Sequence, residues 1–419
     1  MKKPLVFLIT LFVACPCLFA QSIDSKTETD QLREDLQTLK AQFEDMKSQY
    51  EDKINQLESK IENLEQKTAS AETKPAQVAQ APQTGLGRYF QSFNPEISVI
   101  GDFIYHGINK DDDDLRNQFS MRQAELAFSA HVDPYARGDF FFHVEPDGNE
   151  WHIGLCEGYL TLLNPPYLED LQAKIGKFKV EFGKANKLHL HALPWVDYPN
   201  IITNYFGGEG MGQPGVSLSY LIPNPWDKYI ELTAQVVDNH NTASFAGADG
   251  EDLVYLTHLK NFFDINEEST IELGGSFATG RNQSDRNDKW TFLEGVDLTY
   301  KWRPLKQGLY NSLISQSEIF LSQKQQVDAH TVSSLGLYSS LQYQFAKRWS
   351  VFSRYDFSEF PDYSDRREQA VSGGLTFAQS EYCFWRLQYK HTDRNYSNNS
   401  DEIWLQCDFG LGPHRKHAY

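Results

Sequence analysis

At 419 residues, with 40% apolar and 14% aromatic side chains, the chain has room for two or three domains and is too apolar to be disordered throughout. Its formal net charge of −18 disfavours nucleic acid and anionic lipid surfaces as partners and suits a lumen that tolerates cations. Beyond residue 20 no apolar run reaches the roughly eighteen residues that a membrane-spanning helix needs, so helical spans are excluded.

Residues 1–20 read as a secretory signal: Lys2 and Lys3, an apolar run from Leu5 to Ala14, then Leu18-Phe19-Ala20 before Gln21. Cys15 and Cys17 lack the Leu-small-small lead of an acylated lipoprotein, so cleavage after Ala20 is expected. Within residues 21–67, Leu32, Leu36, Leu39, Phe43, Met46, Tyr50, Ile54, Leu57, Ile61 and Leu64 recur at spacings of three and four. That is the seam of an α-helical coiled coil, with a stutter where Met46, Tyr50 and Ile54 follow in steps of four. About 35 such residues make a rod of roughly 50 Å. A single amphipathic helix lying against the next domain is the plainer alternative. Residues 68–87 turn to Ala, Gln, Thr and Gly with Pro75 and Pro82, the composition of a linker.

From residue 88 to residue 419 the pattern changes to period-two alternation. Ile230, Leu232, Ala234 and Val236 alternate with Glu231, Thr233 and Gln235; Val296, Leu298, Tyr300 and Trp302 alternate with Asp297, Thr299 and Lys301. Trp385, Leu387 and Tyr389 alternate with Arg386, Gln388 and Lys390. One face suits lipid and the other water, which predicts an all-β transmembrane barrel of about sixteen antiparallel strands. The strands are expected near 97–106, 119–131, 136–145, 151–162, 170–181, 215–222, 229–238, 252–260, 269–279, 290–303, 310–322, 334–345, 349–358, 369–379, 382–393 and 402–410. Connections after even strands are mostly short, and those after odd strands generally longer and polar, as for periplasmic turns and external loops. A secreted β-sandwich also alternates, but it does not account for that rhythm or for aromatic residues near strand ends. Trp349, Tyr355, Phe357, Phe360, Trp385, Tyr389 and Trp404 are the expected interfacial girdle.

The stretch from Arg122 to Pro146, followed by Gly158 to Pro199, resembles the phosphate-selective porin O and P superfamily and porin-like outer-membrane relatives. The resemblance rests on Arg122-x-Ala-Glu-Leu126, the Asp133-Pro134 turn, and Gly176-Lys177-Phe178 leading to Phe182-Gly183. It implies a sixteen-stranded, usually trimeric barrel whose third external loop folds into the pore. Here that loop is the longest connection, Lys184 to Gln213, and His189, His191, Trp195, Asp197, Tyr198 and Glu209 are its candidate constriction residues. The basic ladder of phosphate-selective members is missing, so phosphate selectivity does not carry over.

Strand parity puts Glu125, Glu231, Glu272, Asp297, Lys301, Arg354, Asp356, Arg386 and Lys390 on the lumen side, mixed in sign and able to pair across it. His189 and His191 lie two apart and face one side of an extended stretch, where Asp197 or Glu209 would complete a divalent-metal site; loop packing or ordinary pore-lining polarity is the plainer reading. The acidic run Asp111 to Asp114 is a further cation candidate or simply a solvated loop. Cys156, Cys383 and Cys407 are scattered and odd in number, which is no disulfide framework. No nucleophile, metalloprotease or phosphate-loop motif is present, so no catalytic residue and no cofactor is expected. The expectation is an outer-membrane channel of a Gram-negative-type cell for small hydrophilic solutes or ions. It would be a homotrimer in outer-membrane lipid, with the stalk reaching toward peptidoglycan. A closed structural anchor and a zinc-uptake channel are the alternatives.

Overall fold

A computed structural model of the chain describes residues 95–109, 116–147, 150–163, 165, 170–240, 243–245, 252–282, 289–326 and 330–412. The signal segment 1–20, the coiled-coil seam 21–67, the linker 68–87, Asp111 to Asp114 and the terminal Tyr419 lie outside these residues. The described strands are β1 (Glu96–Ile108), β2 (Gln118–Asp133), β3 (Ala136–Asp147), β4 (Glu150–Leu162), β5 (Leu171–Lys179), β6 (Gly212–Leu221), β7 (Tyr229–Asp238) and β8 (Leu253–Asn266). They continue as β9 (Ser269–Arg281), β10 (Trp290–Trp302), β11 (Ser312–Gln325), β12 (Thr331–Ala346), β13 (Trp349–Phe360), β14 (Tyr363–Ala378), β15 (Cys383–Arg394) and β16 (Ser400–Leu411).

Each strand pairs antiparallel with its sequence neighbours, and β1 closes on β16 from Val99 opposite Leu411 to Ile108 opposite Glu402. Closure leaves no strand edge with unpaired backbone groups, the condition for placing β-structure in hydrocarbon. Alternation sets which side chains face out. Val296 is 53% exposed while its neighbour Asp297 is 2%, and Leu387 and Tyr389 are exposed while Gln388 is fully buried. The outer face is thus an apolar band and the inner face polar, which makes this an outer-membrane barrel.

All sixteen expected strands are present. The loop rhythm is less regular than the sequence suggests. Residues 361–362 are a tight turn on the side expected to carry long loops, and 303–311 is a long connection on the other. The cause at 361–362 is that β14 starts at Tyr363, several residues before its apolar alternation begins, because polar Arg367 and Glu368 still ladder onto β13. Trp404 is not part of the girdle. It shares the parity of buried Glu402 and Gln406 and stacks on His106 with ring centroids 3.5 Å apart, inside the barrel.

The middle of β10 offers a direct test of the outward face. Val296→Arg is expected to destabilise the barrel by about 2–4 kcal/mol in urea unfolding from lipid vesicles. Val296→Leu, which keeps an apolar side chain in the lipid, should be close to neutral.

Candidate functional site

The connection between β5 and β6, residues 180–211, runs into the lumen. Its ends differ slightly from the expected 184–213 because β5 stops at Lys179 and β6 already begins at Gly212. Two short 3-10 turns, Ala185–Lys187 and Leu190–Ala192, precede α1 (Asn200–Phe206). Pro199, which has no N–H to lose, fixes the entry to α1, and Gly207 at φ +97 ends it in a conformation that other residues avoid.

What holds the segment is first an apolar core inside the barrel. Phe182, Leu193, Trp195, Ile201, Tyr205 and Phe206 are all buried against Phe320 of β11 and Tyr338 of β12. Phe182 meets Phe320 edge-on at 4.8 Å and Trp195 meets Tyr338 edge-on at 5.4 Å. Burial of this kind contributes about 1.5–3 kcal/mol per large side chain. Gly336 on β12 makes the approach of α1 possible, since a Cβ there would stand 2.9 Å from Ile201 Cγ1 and 3.0 Å from Tyr205 Cε2.

The wall then satisfies the segment's polar groups. Gln235, Ser276, Glu318 and Gln388 accept from the backbone N–H groups of Glu181, Gly183, Ala185 and Val196. Arg386 donates to Trp195 O at 2.8 Å and Arg122 to Val196 O at 2.6 Å. Lys184 pairs with Glu272 at 2.9 Å.

Asp197 is the most heavily engaged of these groups. Its carboxylate accepts from Arg354 Nη2 at 3.0 Å, Lys390 Nζ at 2.7 Å and Gln388 Nε2 at 2.6 Å. Burial alone would raise its pKa, but the Arg354 and Lys390 charges outweigh burial and hold it well below the usual carboxylate range. Arg354 also pairs with Asp356 at 2.7 Å and lies over the Trp195 ring. Asp356 in turn accepts from Asn200 N at 3.1 Å.

Asp197 therefore stands apart from the two histidines it was expected to join. His189 is bracketed by carboxylates instead, with Nδ1 at 2.6 Å from Glu125 Oε2 and Nε2 at 2.7 Å from Glu157 Oε1. Burial opposes a charged ring, yet the two glutamates outweigh it and push His189 up to about 9. His191 Nδ1 lies 3.7 Å from the same Glu125 oxygen. Tyr198 donates to Leu188 O and accepts from Lys179 Nζ, while the Glu209 side chain is exposed and its carbonyl accepts from Lys179.

Of the parity-derived lumen residues, Glu125, Glu272, Asp297, Arg354, Asp356, Arg386 and Lys390 are buried inside, while Glu231 and Lys301 are half-buried. Arg122 and Glu157 are inward residues that parity misses. Both lie at β-bulges: β1 steps from Asp102 opposite Gln123 to Phe103 opposite Met121, and β4 steps from Glu157 to Leu155 across Phe141 and Phe142. The extra residue reverses the side-chain phase, so Trp151, Ile153 and Leu155 face out while Glu157 faces in. A cavity of about 560 Å³ lies under the segment, lined in part by Lys184, His191, Lys301, Arg386 and Asp408.

No family model matches the chain. An uncharacterized protein of Aquifex aeolicus is 28% identical over 403 residues, covering 78% of this chain and 81% of its own length. Among solved structures, the barrel is similar to an anion-selective porin from Comamonas acidovorans at a TM-score of 0.53 and 10% identity, over 76% of this chain and 99% of that one. OprB of Pseudomonas putida gives a TM-score of 0.53 at 10% identity, over 78% and 96% of the two chains. A loop-deletion mutant of OmpT, an outer membrane protein of Vibrio cholerae, gives 0.51 at 8%, over 76% and 99%. At these identities the likeness is one of fold, and the fold is that of porin-like outer-membrane barrels.

Asp197→Ala should loosen the segment by about 2–4 kcal/mol, somewhat less than a fully broken buried pair because Asp356 still faces Arg354. Denaturant unfolding and faster proteolysis within 180–211 would report it. The sign of the pH dependence follows from the lowered pKa: the Asp197 contribution is complete above the ordinary value near 3.9 and is lost only as pH falls through the folded one. The difference between wild type and Asp197→Ala should therefore stay constant from about pH 7 to 4.5 and shrink only in stronger acid.

Proposed function

We propose that the chain is an outer-membrane channel for passive diffusion of small hydrophilic solutes or ions, with residues 180–211 as its constriction. The observation that carries this reading is a long connection folded and pinned inside a closed barrel whose inner face is charged in both signs. Such an arrangement narrows a passage and lines it with fixed dipoles. The mixed lining favours small polar solutes over a single class of ion. OmpT of Vibrio cholerae has been solved in a trimer form. A trimer is proposed here too, with the coiled-coil residues 21–67 of each protomer joining those of its neighbours and reaching toward peptidoglycan.

A second reading has one observation in its favour. Trp195, Ile201, Tyr205 and Phe206 are so completely packed that the segment resembles a plug, which suits a structural anchor with a closed pore.

Planar-bilayer recording separates the two. The channel reading expects stepwise openings, and Gly336→Leu, which drives a side chain into α1, should raise or destabilise the conductance level. A correctly folded but silent wild-type barrel would support the anchor. For the stalk, deleting residues 21–87 should abolish crosslinked trimers or release the protein from the envelope; unchanged trimers and attachment would count against it.

A further inference from the structure

We infer that Glu125, His189 and His191 form a divalent transition-metal site that fastens the 180–211 segment to β2. Their ligand atoms all lie within 4.8 Å of one another, and the residues are 1%, 3% and 7% exposed. Tetrahedral zinc, with bonds of about 2.0–2.1 Å, sets its ligand atoms roughly 3.3 Å apart. The contact from Glu125 Oε2 to His189 Nδ1 is 2.6 Å and that to His191 Nδ1 is 3.7 Å. Moves of well under ~1 Å, one opening and one closing, bring both to the zinc spacing.

The surroundings are those of a metal ligand. When His189 binds through Nδ1, its Nε2 carries the proton and donates to Glu157 Oε1 at 2.7 Å. A carboxylate behind a ligating imidazole fixes the tautomer and strengthens the ligand. The Phe141 ring packs 5.6 Å from His189 and shields the site from water. His191 borders the cavity below, so an ion in the lumen reaches the cluster from the His191 side.

Two imidazoles and a carboxylate suit zinc, and also cobalt, nickel or copper. A bare imidazolium bridging two glutamates would account for His189, Glu125 and Glu157. It does not account for a second imidazole nitrogen turned toward the same Glu125 oxygen. The site does not depend on whether the barrel conducts, because binding is measured on protein in detergent.

The test uses the full-length chain without a histidine tag, stripped with chelator and titrated with Co²⁺. One equivalent should give the visible absorption of four-coordinate cobalt, displaced by Zn²⁺. His191→Ala should weaken binding about a hundredfold or more while leaving the His189 bracket and the folded barrel intact, and His191→Asn should do the same. Glu157→Gln should weaken it about ten- to a hundredfold, as for other residues behind a metal ligand. Wild-type protein that binds cobalt no better than folded His191→Ala, or that gives only six-coordinate absorption, would overturn the assignment.

Discussion

A chain segment held inside a closed barrel must find partners for its buried backbone groups within itself or on the wall, and both are used. Asn186 meets Val180 O, Met211 O and Met211 N, and wall side chains meet others. The cost of leaving a buried donor or acceptor unmet is about 1–3 kcal/mol each. That constraint explains the inner face better than ion selectivity does. Gln235, Ser276, Glu318 and Gln388 each meet a backbone N–H of the 180–211 segment, and Arg122 and Arg386 each meet a carbonyl. The mixed signs on the wall follow, because a peptide segment presents donors and acceptors alike.

Apolar and ionic contacts divide the work. Buried ion pairs gain little net stability once desolvation is counted, whereas removing one partner is costly. The free energy of docking thus comes mainly from Phe182, Trp195, Ile201, Tyr205 and Phe206 against Phe320 and Tyr338. The charges set position. Asp197 satisfies Arg354, Lys390 and Gln388 together in only one placement of the chain, and Trp195, two residues earlier, is then stacked over Arg354.

The barrel was legible because lipid outside and polar groups inside leave the simplest periodic record a sequence can carry. Thr233, Asp297 and Gln388 all face inward as their parity requires. Parity fails where the ladder gains a residue, and the two bulges at β2 and β4 are where Arg122 and Glu157 turn inward. No local signal marks either bulge. The pair of histidines was legible by spacing, but its carboxylates were not, since Glu125 and Glu157 reach His189 across 64 and 32 residues of chain. Asp197, nearer in sequence, is held instead by Arg354, Lys390 and Gln388 of β13 and β15.

The path of the segment also decides where room remains. Ala185 is bonded to β11 and His189 to β2 and β4, so residues 185–189 cross between distant parts of the wall. Four residues reach at most about 14 Å. A chord that short is bridged only because wall side chains as long as glutamate extend to meet it from both ends. The room that remains is the cavity bordered by Lys184, Lys301, Glu381, Arg386 and Asp408. A solute passing there meets three cationic side chains and two carboxylates, and one of the cations, Lys184, is already paired with Glu272, in a chain whose net charge is −18. The local lining is thus close to balanced in sign while the chain as a whole is acidic, and it is the local lining that a passing solute would feel within a Debye length of roughly 8–10 Å.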